Sequence, residues 1–391
     1  MNDFKNLFLL DPNIHFLNFG SFGACPKPVM EKYIEWQYLL EREPVQFIAF
    51  NAVTYLKDSR QQLANYVGCD LDDIVYVTNP SYAVNIIAKS LKLQKGDEVL
   101  TTDLEYGACD RTWQFYCDKN EVIYKKQKIS LPILNKEQLI HDFFKGITEK
   151  TKVIFISGIT SSTALILPFK EICTIAKQKG LITFVDGAHI PGQIFIDLQN
   201  TDIDYFTGAC HKWMMTPKGS SFLYAKKSMQ HLLEPLIVSW GYKAAKPSHS
   251  LFLDYHQMQG TRDFSAFLTV PTAIEFMKKY EWEKVAKKCH EIVLKNAPKF
   301  CDLLKIKPIA PLTNEFIGQM LSIPIKTNYP EELQKCLFNK YAIEIPIMVH
   351  YNQTYLRYSI NAFNEQVDLN ALFVALEEIM KAGKLLETII H

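Results

Sequence analysis

Short, largely apolar runs alternate with helical patterns over most of the first 230 residues. The runs at 74–77, 98–101, 153–156, 182–185, 205–207 and 222–225 are rich in β-branched and aromatic residues. Between them apolar residues recur every three or four positions, as at Leu56, Leu63, Ala64 and Val67 ahead of Gly68. Buried strands that alternate with amphipathic helices predict an α/β fold, in which helices cover both faces of a mainly parallel sheet.

The pattern changes past Pro271. Apolar residues at helical spacing from Trp282 to Ile292 predict a long helix that ends near Pro298. Beyond it lie strand candidates at 320–325 and 355–360 and helix candidates at 331–339 and 368–385. We therefore expect a large α/β domain over 15–270 and a smaller α+β domain formed by 271–391 together with residues 1–14.

Composition excludes several classes of protein. The 43 Lys and Arg residues against 42 Asp and Glu leave a net charge of +1, which disfavours binding to nucleic acid or to an anionic membrane. The sequence contains no apolar run of about 18 residues, so we expect no membrane span. The nine cysteines contain no CxxC pair and the ten histidines no metal-ligand spacing, so we expect free thiols and no metal site.

The N-terminal apolar patch at 7–10 is too short for a signal peptide. Together with the scattered cysteines, it predicts a cytoplasmic location.

The chemistry lies beyond the predicted strands. Ligands of doubly wound sheets bind outside the carboxyl ends of the strands. The residues that follow five of these strands are Asn79-Pro80-Ser81-Tyr82, Asp103-Leu104-Glu105-Tyr106, Ser157-Gly158-Ile159-Thr160-Ser161, Asp186-Gly187-Ala188-His189 and Gly208-Ala209-Cys210-His211-Lys212-Trp213. They supply a carboxylate, a lysine, an aromatic ring, and hydroxyl groups, some of them at a helix N-terminus.

This set of groups suits pyridoxal 5′-phosphate. A lysine can form a Schiff base with the aldehyde, and a carboxylate keeps the pyridine nitrogen protonated. A helix N-terminus with hydroxyl groups binds the phosphate, and an aromatic side chain covers the ring. Neither GxGxxG nor GxxxxGK[ST] follows the early strands. Their absence disfavours dinucleotide binding, and with it a nicotinamide-dependent Rossmann enzyme, and nucleoside-triphosphate binding.

The order of the motifs resembles the class-V aminotransferase family of fold-type-I pyridoxal phosphate enzymes. The resemblance rests on Val185-Asp186-Gly187-Ala188-His189, Cys210-His211-Lys212-Trp213 and Pro217-Lys218-Gly219. The segments at 17–23, 43–47, 159–164, 260–263, 341–346 and 356–359 are similar to the isopenicillin N epimerase-like branch. The resemblance spans about residues 15–365 and implies a seven-stranded sheet in the large domain.

The resemblance also implies roles at the reacting end of the cofactor. Lys212 would form the Schiff base and move the Cα proton of the substrate, and Asp186 would pair with the pyridine nitrogen. His189 would lie beside the ring hydroxyl. Tyr106 would stack on the ring face opposite Lys212.

Further implied roles concern the phosphate, the substrate and a second subunit. Ser81, the backbone at Tyr82 and His211 would hold the phosphate, and Thr160 and Ser161 would border the ring oxygen. Thr261 would reach the phosphate from the partner subunit of a homodimer. Asn18 and Ser21 would contact the substrate, and the guanidinium of Arg357 would bind its α-carboxylate with two prongs.

The chain departs from the family pattern at Pro80, Gly158, Ala209 and Phe363, which often are Ala, His, a polar residue and Tyr. Cysteine desulfurases of the family carry a nucleophilic cysteine shortly before the carboxylate-binding arginine. Residues 337–356 contain no cysteine, and Cys336 lies in a helical pattern, which disfavours a desulfurase.

We therefore expect an enzyme that abstracts the Cα proton of an amino acid or a derivative. The nearest branch favours an epimerase or racemase. A carbon–sulfur lyase acting by β-elimination and an aminotransferase remain alternatives. A binding or regulatory module of the same fold is a non-enzyme alternative, which the Lys212, Asp186 and Arg357 set disfavours.

Overall fold

The computed structural model describes residues 4–387. The outermost parts of the predicted small domain, residues 1–3 and 388–391, lie outside the described residues. The helices are α1 (Phe19–Phe22), α2 (Lys27–Arg42), α3 (Ala52–Val67), α4 (Pro80–Ser90), α5 (Gly107–Lys119), α6 (Lys136–Phe144), α7 (Phe169–Gln178), α8 (Leu251–Gln257), α9 (Ser265–Leu268), α10 (Val270–Lys279), α11 (Trp282–Leu304), α12 (Pro330–Tyr341) and α13 (Gln366–Ala382). A π-helical turn, Gln46–Asn51, precedes α3.

The strands are β1 (His15–Phe16), β2 (Ile74–Val77), β3 (Glu98–Thr102), β4 (Ile123–Gln127), β5 (Thr151–Ser157), β6 (Ile182–Asp186), β7 (Tyr205–Ala209), β8 (Ser221–Ala225), β9 (Met320–Ile325), β10 (Ile343–Glu344), β11 (Ile347–His350) and β12 (Gln353–Ser359).

A seven-stranded sheet of order β2-β8-β7-β6-β5-β3-β4 forms the centre of the first 230 residues. Strand β8 runs antiparallel to both of its neighbours, and the other pairs are parallel. Every residue of β2, β3, β7 and β8 is buried, because helices cover both faces. The predicted mainly parallel, seven-stranded α/β sheet is confirmed.

Strand β4 shows where the apolar pattern did not predict an element. It lies at the edge of the sheet, and its sequence Ile-Tyr-Lys-Lys-Gln is half-buried or exposed throughout. Edge strands that face solvent carry charged residues, which discourage pairing with another chain. Their pattern therefore lacks the apolar run that marks the interior strands.

The C-terminal part contains a three-stranded antiparallel sheet of order β11-β12-β9, and β10 pairs in parallel with β1 from the N-terminal region. This pairing brings His15 and Phe16, which the sequence assigned to the large domain, against the C-terminal part. The predicted boundary at 270/271 falls in the first turn of α10. The division into two domains at that point stays a prediction.

The expected end of the long helix near Pro298 is wrong. Helix α11 continues through Pro298 to Leu304. Pro298 faces solvent, whereas Val293, Ala297 and Phe300 are buried. Burial of the inner face outweighs the cost of the missing N–H group, and water can satisfy the freed carbonyl on the outer face. The last helix is also shorter than expected, because Gly383 ends α13 in a left-handed conformation.

The nine cysteines are free thiols, as expected. Within residues 4–387, no cluster of histidine, cysteine or acidic side chains could hold a metal ion. None of the helices in that range is long and apolar enough to cross a membrane.

Candidate active site

A cavity of about 480 Å³ lies beyond the carboxyl ends of the central strands. It is lined by Gly20, Ser21, Phe22, Asn79, Pro80, Ser81, Tyr106, Ser157, Ile159, Ser161, Asp186, Ala188, His189, His211, Lys212, Met348 and Arg357. The large sheet supplies one end of the cavity, and β12 with the N-terminal segment supplies the other. Most of the predicted site residues thus meet in one place.

Lys212 projects into this cavity from the turn after β7. Burial lowers the pKa of its amine to about 8, because water is excluded; the nearby Arg357 acts in the same direction, and Asp186 opposes both. Its Nζ lies 3.2 Å from Nε2 of His189. A buried amine with a lowered pKa is a competent nucleophile toward an aldehyde near neutral pH.

Asp186 ends β6 and is buried. Its Oδ1 accepts a hydrogen bond of 2.9 Å from the backbone N–H of Ala188, and the thiol of Cys109 donates to Oδ2 at 3.5 Å. Burial raises the pKa of this carboxyl group, whereas Ala188, Lys212 and Cys109 hold it down.

His189 is buried between two side chains of the lysine turn. Its Nδ1 accepts a 3.2 Å hydrogen bond from the indole N–H of Trp213, and its Nε2 faces Lys212. Burial, followed by the charges of Lys212 and Arg357, lowers the pKa of His189 well below its usual value. The imidazole is therefore neutral at physiological pH.

The N-terminus of α4 forms another wall. The Asn79 side chain caps the helix, because its Oδ1 accepts a hydrogen bond of 2.9 Å from the backbone N–H of Tyr82. Ser81, in the first turn of the helix, lines the cavity. His211 stands nearby, with its Nδ1 donating to the carbonyl of Ser220 at 2.9 Å. A helix N-terminus beside a hydroxyl group and an imidazole favours an anion such as phosphate.

Arg357 enters from β12 at the opposite end and is almost completely buried. Its Nη1 donates to the carbonyl of Ser161 at 2.6 Å, and its Nη2 donates to Oγ of Ser21 at 2.9 Å. Oγ of Ser21 donates in turn to Oδ1 of Asn18 at 2.5 Å. Its hydrogen bonds therefore go to neutral oxygens, and a guanidinium held in this way can bind an incoming carboxylate.

Tyr106 stands just before α5 and is about half exposed at the cavity wall. The preceding Glu105 points the other way and is buried. It accepts hydrogen bonds from Thr102 and from the backbone and hydroxyl of Ser157. Burial raises the pKa of Glu105 to about 8, against the effect of these donors. Glu105 thereby ties the Tyr106 turn to the end of β5.

Four predicted site residues do not line the cavity. Asn18 contacts it only through Ser21, and the hydroxyl of Tyr82 bonds to Gln259. The hydroxyl of Thr160 is shared with Thr163 and the backbone of Leu165 inside its loop. Thr261 is exposed on the surface. The roles assigned to these residues stay predictions.

The site also contains residues that were not predicted. Cys109 donates a hydrogen bond to Asp186, and Trp213 donates one to His189. In a sequence, however, a cysteine in a helix or a tryptophan in a turn is usually taken as a core-packing residue. Met348 comes from β11, which folds back toward the large sheet. The signal for Ser157 was present, because it directly follows the apolar run that became β5.

Two glycines of the N-terminal motif explain how that segment fits the site. Gly23 has φ +66°, and a Cβ there would lie 2.2 Å from the carbonyl oxygen of His211 and 2.9 Å from Cα of Lys212. A Cβ on Gly20 would lie 2.4 Å from the sulfur of Met320. Only glycine permits this segment to pass so close to the backbone of Lys212.

The geometry fits pyridoxal phosphate. A buried amine without a carboxylate hydrogen-bond partner among residues 4–387, a buried carboxylate and a capped helix N-terminus line one cavity. These are the groups that an aldehyde, a pyridine nitrogen and a phosphate require. The fold and the site together define a pyridoxal phosphate-dependent enzyme of fold type I.

Comparison with known proteins identifies the family. The family model described as aminotransferase class-V matches residues 25–372, and the chain belongs to this family. Its cofactor is pyridoxal 5′-phosphate, as the sequence predicted.

Two curated relatives cover nearly the whole chain. Isopenicillin N epimerase of Amycolatopsis lactamdurans is 28% identical and aligns over 95% of this chain and 96% of its own. Hercynylcysteine sulfoxide lyase of Schizosaccharomyces pombe is 26% identical, with 94% of each chain aligned. Both names match reaction classes that the sequence left open.

Among solved structures, the apo cysteine desulfurase of Thermococcus onnurineus NA1 superposes with a TM-score of 0.81 at 20% identity, covering 94% of this chain and 95% of its own. The similarity confirms the expected fold. In this chain Cys336 lies in α12, as predicted, and the segment from 337 to 356 contains no cysteine.

Proposed function

We propose that this protein is an epimerase or racemase that abstracts and returns the Cα proton of an amino acid or an amino-acid-derived substrate. Pyridoxal phosphate, when bound, supplies an aldehyde for amine exchange and a ring that accepts electrons from the substrate carbon. The observation that carries the proposal is the single cavity in which Lys212, Asp186 and Arg357 meet.

Lys212 is the base in this proposal. Its amine is neutral in an appreciable fraction near pH 8, because burial lowers its pKa to about that value. Nζ of Lys212 would be the base that removes the Cα proton of a bound substrate. Asp186 would keep a proton on the pyridine nitrogen of the bound cofactor, and His189 would be the residue beside its ring hydroxyl.

The remaining cofactor contacts are proposed from the cavity wall at the N-terminus of α4, which favours an anion. Ser81, the backbone at Tyr82 and His211 would hold the phosphate at the N-terminus of α4. Ser161, together with Thr160, would border the ring oxygen. The backbone N–H of Tyr82 is held by Asn79 in this structure, so phosphate binding competes with that cap.

Arg357 binds the α-carboxylate of the substrate. Its contacts with Ser21 and the Ser161 carbonyl fix the plane of the guanidinium, and Asn18 supports Ser21. Two parallel N–H groups can then orient the carboxylate, and with it the Cα–H bond, toward Lys212.

Inversion at Cα needs a second proton donor on the face opposite Lys212. Tyr106 occupies the cavity wall at half exposure, and its phenol lies near enough to Arg357 to influence the pKa of that guanidinium. We assign the second proton to Tyr106 or to a water that it orders. The epimerase relative at 28% identity supports the reaction class.

A carbon–sulfur lyase is the second candidate. Removal of the same Cα proton leads to β-elimination when the substrate carries a sulfur leaving group. Phe22 and Met348 give the cavity an apolar part of its lining, which suits a thioether or sulfoxide side chain. The sulfoxide lyase relative at 26% identity supports this candidate.

The assembly and the setting complete the proposal. A homodimer would bring Thr261, exposed near the α8–α9 connection, to the phosphate of the partner subunit. Free thiols throughout suit a reducing cytoplasm. We assign the large domain to 15–270 and the small domain to 271–391 with residues 1–14.

To test the proposal, the holoenzyme is incubated with a panel of amino acids in deuterated water and the products are analysed. Deuterium at Cα with inversion supports the epimerase, release of pyruvate and ammonia supports the lyase, and exchange with a keto acid indicates a transaminase. Tyr106→Phe is the matched variant, because it should retain exchange and lose inversion. Absence of exchange with every amino acid, together with a wild type that binds no cofactor, would refute the proposal and favour the binding module.

A further inference from the structure

His189 has one polar neighbour on each ring nitrogen. The indole N–H of Trp213 points at Nδ1 over 3.2 Å, and Nζ of Lys212 lies 3.2 Å from Nε2. The ring is 2% exposed and Trp213 is 1% exposed, so water does not compete for either nitrogen. Lys212 and Trp213 are adjacent in sequence, and one turn thus places both groups on the same imidazole.

The indole fixes the position of the histidine proton. An indole nitrogen is only a donor, so Nδ1 of His189 must act as the acceptor and carries no proton. A neutral imidazole holds one proton, which is therefore on Nε2. The ring stays neutral because Lys212, Arg357 and His211 all lie around it and burial disfavours a further charge.

This tautomer acts on the lysine. An Nε2–H group can donate to the lone pair of a neutral amine, whereas it meets another donor when the amine is an ammonium ion. The other tautomer, with the proton on Nδ1, would accept from the ammonium and stabilise it. The position of one proton on His189 thus selects between the two forms of Lys212.

We propose that Trp213 is a positioning residue that locks His189 in the Nε2–H tautomer and so keeps the amine of Lys212 in its neutral, nucleophilic form. The inference concerns the apoprotein and rests on the proposed function only in its choice of pyridoxal phosphate as a probe.

Other groups also act on Lys212. Asp186 and Cys109 favour its charged form, and Arg357 disfavours it. None of these three contacts Trp213 in a hydrogen bond among residues 4–387, so removal of the indole N–H isolates the effect that passes through His189.

The first test measures the rate at which apoprotein binds pyridoxal phosphate, by stopped-flow absorbance from about pH 6 to about pH 10. The wild-type rate should rise with a midpoint near the lysine pKa of about 8. Trp213→Phe should move this midpoint upward by about one pH unit. An unchanged midpoint, or one that moves downward, overturns the proposal.

Trp113→Phe is the matched control. Trp113 is also 1% exposed, and its indole nitrogen has no hydrogen-bond partner among residues 4–387. The control removes the same volume from the core without a hydrogen bond, so its midpoint should equal that of the wild type. An equal shift in both variants would mean a packing effect and would overturn the proposal.

A second variant tests the route through His189. In His189→Leu the side chain can neither donate nor accept a hydrogen bond, so no tautomer is left to select. Adding Trp213→Phe to this background should therefore cause no further shift of the midpoint. A full additional shift would show that the indole acts on Lys212 by another route and would contradict the inference.

Neutron diffraction from the deuterated apoprotein tests the tautomer directly and does not depend on a foldable variant. The expected result is a deuteron on Nε2 of His189 and none on Nδ1. A deuteron on Nδ1 overturns the inference while leaving the proposed function intact. Failure of the proposed function has a different signature, namely a wild type that binds no pyridoxal phosphate at any pH.

Discussion

The two ends of the cavity are built from different kinds of contact. Asp186 and Lys212 follow directly from the ends of β6 and β7, neighbouring strands of one sheet. Arg357 instead comes from a separate sheet, and its hydrogen-bond partners Ser161 and Ser21 lie 196 and 336 positions away in sequence. The cofactor end is fixed by local connections, and the substrate end by packing between distant segments.

This difference separates the residues that the cofactor chemistry requires from the residues that determine substrate choice. The cofactor chemistry needs fixed partners on rigid strands, whereas substrate choice depends on side chains brought together from several segments. We expect substitutions at the cofactor end to abolish chemistry, and substitutions at the substrate end to change affinity.

The largest effect is expected from Lys212→Ala. Loss of the amine removes both the covalent attachment and the base, and turnover should fall about 10⁴-fold. The visible absorption band of the lysine-linked cofactor should disappear with it. Lys145→Ala is the control, since Lys145 is exposed, pairs with Asp142 and does not line the cavity, so both readouts should stay unchanged. A band that survives Lys212→Ala would contradict the assignment.

Asp186→Asn should reduce turnover about 10³-fold, because the neutral amide no longer keeps the pyridine nitrogen protonated. The amide oxygen can still accept from the Ala188 N–H, so the fold should be preserved. Thermal unfolding of the apoprotein controls for stability. Turnover within about threefold of wild type would show that Asp186 does not serve this role.

The buried lysine should also cost stability in a pH-dependent way. Its pKa is lowered in the folded state from 10.5 to about 8, so the folded protein carries a buried charge below pH 8. That penalty is complete below the folded pKa and disappears as pH rises toward the unfolded value. Apo Lys212→Met should be more stable than wild type by about 3 kcal/mol near neutral pH, and the gain should shrink at about pH 10. Urea unfolding at both pH values measures the difference, and an equal gain at both would refute the cause.

Gly23→Ala tests the N-terminal segment that joins the two ends. A Cβ would collide with the backbone of His211 and Lys212, which we expect to destabilise the protein by about 2–3 kcal/mol and to weaken cofactor binding. Gly219→Ala is the matched control, because Gly219 also has a positive φ, of +84°, but no atom lies within 4 Å of its Cβ position. It should lose only about 1 kcal/mol. Equal losses would show that strain alone, and not the approach to Lys212, explains the glycine.

Arg357→Lys should have the smallest effect on chemistry and the clearest effect on binding. A lysine keeps the charge but loses one of two parallel N–H groups, so KM should rise about 10- to 100-fold with a smaller change in kcat. An amine substrate without a carboxylate serves as the control and should be indifferent to the substitution. A fall in kcat without a change in KM would place Arg357 in a different role.

The sequence predicted the interior of the fold well and its margins less well. Helix α7 and strands β2 and β9 occupy the predicted residues, because buried elements carry a strong apolar periodicity. Strand β4 and helix α5 were not predicted, because an exposed edge strand and a helix with few buried positions lack that signal. Helix α11 continues past Pro298 because burial of its inner face outweighs the loss of the proline N–H group.

The site divides along the same line. Lys212, Asp186 and His189 could be placed from the sequence because each follows a strand within a few residues. The contacts of Cys109 with Asp186 and of Trp213 with His189 could not be predicted, since nothing local marks a core side chain as a hydrogen-bond donor to a residue of the cavity. The contacts of Arg357 depend on three segments whose meeting only the folded chain reveals.

The most direct measurement is to reduce the holoprotein with borohydride and to locate the pyridoxyl group by peptide mass mapping. We predict one labelled residue, Lys212, and no label after Lys212→Ala. A label on Lys218 or on another lysine, or a wild type that takes up no label, would contradict it.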